Sequence, residues 1–594
     1  MRRLEQLLRD NDHRPYPAYK NLKGRYTFPN YILSVDHVQG DPFAAPSSLS
    51  IHLTDKQHGL PSEYYGEKNR RIMLQDYLLR HFQVELRKYS NKASGSGKSG
   101  TLSVSSCGQE VLERSALTID PLNRSLILRF NAGFPAAGRT TLAMELRKML
   151  FEYVPACVSR TLRYDALNKE ELKKWIELSD DQKAIREQLD SKGLVAFVAN
   201  GSILPRKSGV DDRPMKDAVK FISTPEDEIT LELPGGRTIT GLGVKKGVTL
   251  IVGGGYHGKS TLLKALERGV YDHIPGDGRE YVITEDSAMK LRSEDGRSIK
   301  KLDISAFIRN LPNGKDTVSF STEDASGSTS QAANTVEAMQ AGSKTLLIDE
   351  DTSATNFMVR DTLMHKVIHP GEEPIIPFIS RMRSLYEDCG ISTVLVAGSS
   401  GAFFEVSDTI LQMKEYNPIN ITKTAIEAAL KYSKIYDNAE DVDNAVKINN
   451  NDKVSDQDKG AEEYTVYSME KMHIPGDLRI PYPNKEVTES RKVKVKGSGT
   501  DSISLNHESV EIRFVEQVVD NEQTNLLGAL LRKLEERYFN GNKPLAECIN
   551  ELYAGLASRG FETASGQGQI PGNYAMIRLQ ELWAMVNRYR GLKV

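Results

Sequence analysis

Residues 248–266 read Val248-Thr249-Leu250-Ile251-Val252-Gly253-Gly254-Gly255-Tyr256-His257-Gly258-Lys259-Ser260-Thr261-Leu262-Leu263-Lys264-Ala265-Leu266. The middle of this stretch fits the phosphate-loop pattern G-x-x-x-x-G-K-[ST] without exception. An apolar run of buried-strand type leads into it, and an apolar helical pattern leads out. The residue types follow from the task of holding a triphosphate. Glycines let the backbone curl until several N–H groups face one anion, and the helix that follows adds the positive end of its dipole. Lys259 is placed to reach the β- and γ-phosphates, and the Ser260 hydroxyl to ligate Mg²⁺. The expected ligands are ATP and Mg²⁺, with Gly253, Gly254, Gly255, Tyr256, His257, Gly258, Lys259, Ser260 and Thr261 forming the cradle. His257 is unusual inside such a loop, and both a phosphate contact and a packing role are open to it.

Downstream, Thr345-Leu346-Leu347-Ile348-Asp349-Glu350 is an apolar strand ending in two acids. Asp349 is placed to hold Mg²⁺ together with Ser260, and Glu350 to polarise the attacking water as general base. A glutamate directly after the aspartate narrows the class to ABC ATPases and their relatives. That class carries a small-residue signature loop one helix ahead of the acidic strand, and Ala325-Ser326-Gly327-Ser328-Thr329 fills the place. Ser326, Gly327 and Ser328 are expected to contact the γ-phosphate of a partner chain's ATP. Three features depart from the class. Ser353-Ala354-Thr355-Asn356 replaces the usual D-loop. No glutamine lies between Leu262 and Ala325, so Glu294-Asp295-Gly296-Arg297 is the candidate acidic substitute for the Q-loop. Ser399 stands where the switch histidine is expected, and a serine cannot bring a positive charge to the γ-phosphate. A second run, Gly95-Ser96-Gly97-Lys98-Ser99-Gly100, imitates a phosphate loop but lacks the first glycine, the strand and the apolar helix. It reads as a flexible basic loop.

The 594 residues allow two or three domains. Buried-strand runs alternate with helices over 206–425, the pattern of an ATPase domain with a mostly parallel α/β sheet. Residues 1–205 mix helix and strand and read as an α+β accessory domain. Residues 426–490 are polar and read as an insertion or linker. Residues 491–594 return to helical patterns, at Thr524–Phe539 and Tyr574–Tyr589, and read as a mainly helical C-terminal domain. Hydrophobic residues make up 39% and charged residues 27%, the balance of a soluble globular protein, and the net charge of -2 confines any nucleic-acid surface to a local patch. Cys107, Cys157, Cys389 and Cys548 lie far apart, which excludes zinc spacing and suits reduced thiols. There is no apolar run of membrane length and no signal-type N-terminus, so a cytoplasmic protein without membrane contact is expected.

The words GGGYHGKSTLL, VYDHIPGDGRE, STEDASGSTSQAAN, LIDEDTSATNFMVRD and FVANGSILPRKSG, with GFPAAGRT near the start and VEQVVDNEQT and NRYRGLKV near the end, resemble the family of predicted ATPases of the ABC class. The family is soluble, lacks membrane domains and includes a trypanosome mitochondrial RNA-editing factor with a basic N-terminal pore. The resemblance implies ATP hydrolysis in a head-to-tail homodimer, with RNA or another nucleic acid as leading partner. Arg87, Lys88, Lys92 and Lys98, interleaved with Tyr89, are then the candidate phosphate contacts. An ordinary solvated loop is the plainer alternative. Lys492, Lys494 and Lys496 alternate with valines and suit a guarded edge strand. Arg588 and Arg590 suit a helix end complementing its dipole. Phe221 is the aromatic candidate for stacking on the nucleobase. A protein-assembly or remodelling ATPase is the rival reading, and the motor subunit of a transporter a third.

Overall fold

In the computed structural model, residues 1–360, 373–431, 471–489, 493–565 and 569–594 are described. Six strands form the central sheet: β1 (Val248–Val252), β2 (Met289–Leu291), β3 (Thr345–Asp349), β4 (Ser392–Val396), β5 (Thr409–Lys414) and β6 (Asn417–Asn420), in the order β2-β3-β4-β1-β5-β6. All neighbours are parallel except the β5–β6 hairpin. β3 and β4 are buried along their whole length, because helices and a second sheet cover both faces of a parallel sheet. Ile251 of β1 pairs with Val396 of β4 and Leu411 of β5, so the C-terminal ends of β1, β3 and β4 come level. That edge is where open α/β sheets bind ligands.

Helix α1 (Lys259–Arg268) follows β1, and helix α2 (Gly327–Gln340) precedes β3. An antiparallel sheet of Glu228–Leu233, Arg237–Lys245, Leu194–Ala199 and Val282–Thr284 packs alongside. Val198, Leu242 and Val244 share one core with Ile251, Leu262 and Leu266. The strand Leu194–Ala199 and the helix before it, Lys169–Ser191, therefore join this sheet while the helix also packs against Lys68–Arg87.

Nearer the N-terminus, an antiparallel sheet runs through Gly24–Thr27, Ile32–His37, Ser47–Leu53, Ser125–Ala132 and Leu102–Ser103, with Leu117–Asp120 paired to Ser125–Ala132. Residues of Ser125–Ala132 alternate between half-buried and buried, the period of a strand with one face on the core. The run 89–100 is not the flexible loop its composition suggests. The Asn91 N–H donates to the Gly100 carbonyl, Ser96 to Ala136, Lys98 to Pro42 and Gly100 to Gly133, and Ala93 and Ser99 are buried. Small residues give this segment backbone groups free to bond outward, and it uses them.

The C-terminal region is mainly helical, as Asn521–Lys533, Leu545–Arg559 and α3 (Leu579–Asn587), with a small antiparallel sheet of Val495–Ser498, Ser502–Leu505 and Glu508–Glu511. Lys494 and Lys496 are exposed along its edge. Residues 574–578 are not helical; Ala575 instead bridges to Arg114. Trp583 and Val586 of α3 lie in the same core as Ala332 and Val336 of α2. Most of the polar segment 426–490, namely 432–470, and the pair Arg491-Lys492 lie outside the described residues. Among the described residues no helix is long and apolar enough to cross a membrane.

Candidate functional site

The phosphate loop leaves β1 at Gly253, whose φ of +138° and approach to the Met413 carbonyl admit no side chain: a Cβ would lie 2.6 Å from that oxygen. It enters α1 through Gly258, at φ +96°, packed on the Tyr416 ring. Lys259, Ser260 and Thr261 form the first turn of α1, whose N–H groups have no partner within the helix. Lys259 Nζ rests on the loop's own carbonyls, 2.7 Å from Gly253 O and 3.0 Å from Gly254 O. Ser260 is exposed, and so are Gly254, Gly255 and Tyr256. His257 has a structural partner: its Nδ1 accepts from the Glu415 N–H at 3.1 Å, and its carbonyl accepts from Tyr416 N–H.

Glu415 and Tyr416 make the two-residue turn of the β5–β6 hairpin, both at positive φ (49° and 71°). Such a turn favours Asn and Gly, so these residues sit there at a cost of order 1 kcal/mol each. The result is that the Tyr416 ring lies against the phosphate loop, 46% exposed. Ile222, 58% exposed, is tied to the same hairpin by a 2.8 Å bond from its N–H to the Asn417 side chain. Phe221 is the correction here. It is 1% exposed in the core, with its backbone bonded to Gly201 and Ser202, and cannot stack on a base.

Asp349 ends β3 buried, and its backbone carbonyl accepts from the Thr352 and Ser353 hydroxyls. Glu350 points across to the end of β4. One of its oxygens accepts from Gly398 N–H at 2.7 Å and Ser399 N–H at 3.2 Å, and the other from the Ser399 hydroxyl at 2.5 Å. Ser399, which cannot replace histidine as a cation, thus grips the expected general base. Ordinary sequence reasoning had no signal for this contact, since the two residues sit on different strands.

Ser326 caps α2, its hydroxyl accepting from Thr329 N–H, and is exposed, whereas Ser328 is buried. Gln331, one turn on, ties α2 to the segment after β3. It donates to Ser353 Oγ at 3.0 Å and accepts from Ala354 N–H at 2.8 Å. Glu294 is not a free acid for a Q-loop role. It is buried against Arg588, Asn334 and the neighbouring Arg297. Burial pushes its carboxyl up, but the Arg588 and Arg297 guanidiniums outweigh this and hold it below its ordinary value. Asp295 beside it is exposed.

Arg87, Lys88, Lys92 and Lys98 are all exposed at or beyond the end of the helix Lys68–Arg87. Lys88 pairs with Glu85 at 2.6 Å, and Lys92 lies 5.1 Å over the Tyr89 ring. Tyr89 stacks on Tyr153, and Arg160 shares Glu85, which adds an aromatic pair and a cation to this face. Among the described residues no group of 3 or more His, Cys, Asp or Glu side chains could hold a metal. Ser260 and Asp349 carry oxygen donors at this sheet edge, and so sparse an oxygen set fits an ion such as Mg²⁺, whose shell phosphates and water can complete.

A curled glycine loop at the C-terminal edge of a parallel sheet, an Asp-Glu strand end beside it and a serine-capped helix define a P-loop domain of the ABC ATPase class. Family models agree along the chain. The ABC ATPase P-loop domain matches residues 168–449, the N-terminal domain of ATPases of the ABC class residues 1–165, and the MRB1590 C-terminal domain residues 494–594. The chain belongs to the ABC-class ATPases related to MRB1590. An uncharacterized protein of Methanocaldococcus jannaschii, MJ1628, is 38% identical over 192 residues, which are 31% of this chain and 43% of that protein. The chain thus spans less than half of that relative's length. The structure of cbiO1 from Clostridium perfringens, part of the ABC transporter complex cbiONQ, covers 43% of this chain and 100% of its own, at 14% identity and a TM-score of 0.27.

Proposed function

We propose that the protein hydrolyses Mg-ATP at the interface of a head-to-tail homodimer and couples the cycle to RNA or another nucleic acid. The observation that carries the hydrolytic part is the placement of Glu350, an exposed-side carboxylate held by three donors at the same sheet edge as the phosphate loop. Lys259 leaves the loop carbonyls for the phosphates, and the α1 N-terminus supplies N–H groups to them. Ser260 and Asp349 would hold Mg²⁺, which when bound would neutralise negative charge on the triphosphate. Glu350 accepts the proton of the attacking water while Ser399 and Gly398 fix its direction. Tyr416 and Ile222 supply the apolar surface for the nucleobase. Ser326 and Gly327 of each chain close over the ATP held by the other, since one chain carries a single loop and a single signature.

We divide the chain into an N-terminal domain with the nucleic-acid face, the ATPase domain and a C-terminal domain. Four free thiols suit a reducing, cytoplasmic compartment. The Lys88–Glu85 pair and the Lys92–Tyr89 contact favour the rival, a protein-remodelling ATPase, because they already satisfy two of the four cations. Two measurements test the proposal. Glu350→Gln with saturating ATP should elute as a dimer in size-exclusion chromatography, and a monomer refutes the sandwich. ATPase rate with and without RNA, single-stranded DNA or duplex DNA should rise with at least one of them, and indifference to all three moves the reading to the rival.

A further inference from the structure

The signature turn does not stand alone on its helix. The loop 293–297 lies under it, and the end of α3 lies under that loop. Gly296 N–H donates to the Ala325 carbonyl at 2.8 Å and Ala325 N–H to the Arg297 carbonyl at 2.9 Å, so the loop and the turn are stitched in both directions. Glu294 N–H donates to Ser330 Oγ, which donates to the Gly327 carbonyl at 2.8 Å. Ser293 N–H donates to the Thr352 carbonyl at 3.0 Å, joining the same loop to the segment after Glu350. Gly327 is so close to Ser293 that a Cβ would lie 2.6 Å from its hydroxyl oxygen.

The C-terminal region bonds to the loop, to α2 and to the lead-in of the turn. Arg590 donates to the Gly296 carbonyl at 2.6 Å and to the Glu323 carbonyl at 2.8 Å, one bond on the loop and one on the lead-in to the signature. Arg588 pairs with Glu294 and donates to Asn334 of α2 and to the Ala584 carbonyl of its own helix. Arg297 joins Glu337 of α2 to the Asn587 carbonyl. The two arginines do more than complement a helix dipole.

We propose that Arg590, with Arg588 beneath it, is a positioning residue that sets the signature turn for the partner chain's ATP, so that the C-terminal region governs closure of the dimer. The inference rests on the homodimer reading above and deepens it. Arg590 ties the lead-in of the turn to the loop beside it through two separate N–H groups of one rigid, planar fork, a geometry that the flexible ammonium of lysine holds less firmly. It touches neither the phosphate loop nor the strand ends of the same chain. Its influence therefore falls on closure and turnover and not on the chain's own hold on nucleotide.

The test uses Arg590→Ala and Arg590→Lys, chosen over Arg588 because Arg590 is half-exposed and its loss leaves no buried partner charged and unpaired. Calorimetric affinity for a non-hydrolysable ATP analogue and the melting temperature check that the chain folds and binds. The readouts are kcat and, in the Glu350→Gln background, the ATP concentration that gives half-maximal dimer. Arg590→Ala should keep the analogue affinity within about twofold while kcat falls and the dimer midpoint rises by about tenfold, the effect of one to two charged hydrogen bonds. Arg590→Lys should fall between the two. Equal kcat and equal dimerisation in Arg590→Ala overturn the inference alone if Glu350→Gln itself dimerises. A Glu350→Gln chain that stays monomeric overturns the sandwich and this inference together. A parallel loss of analogue affinity and melting temperature, with no separate effect on closure, also overturns it, as the signature of a merely structural residue.

Discussion

Replacing Ser399 by alanine removes one of the three donors on Glu350 and nothing else in the site. The Gly398 and Ser399 N–H groups remain on one carboxylate oxygen, at 2.7 and 3.2 Å, while the other oxygen loses its bond to the hydroxyl. The carboxylate is then pinned at one end and free to turn about that end. Hydrogen bonds to charged groups contribute about 1.5–3 kcal/mol, but this one is solvent-exposed, which places the loss near about 1 kcal/mol and the fall in kcat near fivefold. The donors on Glu350 come from the end of β4 and not from the phosphate loop, so the affinity for ATP should stay within about twofold. Phosphate release measured over a range of ATP concentrations separates the two effects, as a drop in kcat at nearly constant KM. An unchanged or faster kcat would refute the reasoning. It would mean that the three donors restrain Glu350 away from the water instead of aiming it.

Lys259→Ala should abolish ATP binding in calorimetry, because no other side chain among the described residues of the loop carries a positive charge to the phosphates; retained affinity would sink the loop assignment. Tyr416→Ala should weaken ATP binding about fivefold, from the loss of about 1 kcal/mol of stacking, and should weaken inorganic triphosphate not at all. Equal losses for both ligands would show that the ring supports the loop instead of the base. Changing Lys88, Lys92 and Lys98 together to glutamate should weaken single-stranded RNA binding. It should also lower the slope of log affinity against log salt by about 2, at about 0.7 for each phosphate no longer neutralised. An unaltered slope would exclude this face as the phosphate-reading surface.

The sheet was the legible part of this chain. A strand buried on both faces is nearly all apolar, and a glycine loop or an Asp-Glu pair at its end marks which end faces the ligand, so Val248–Val252 and Thr345–Asp349 announce themselves. The contacts between distant segments were not legible. Phe221 reads as a stacking aromatic by its position upstream of the loop, yet bonds to Gly201 and Ser202 turn it into the core and leave Ile222 outside. Tyr416 gave no signal, because its place beside Gly258 depends on a turn whose residues are not those such turns prefer. The segment 89–100 looks mobile by composition, and only its partners at Pro42, Gly133 and Ala136 hold it. Glu294 and Arg588 lie 294 residues apart, beyond the reach of any periodicity argument.

Such a span also orders events on the ribosome. The glycine loop leans on Met413, Glu415 and Tyr416, and can take shape once that hairpin has emerged during synthesis. The underpinning of the serine turn cannot, because it waits for a segment translated hundreds of residues later, and contacts across such spans close slowly. A nascent chain would thus gain the means to grasp nucleotide well before the means to pair over it, and so would not be caught by a neighbour on the same message while half built.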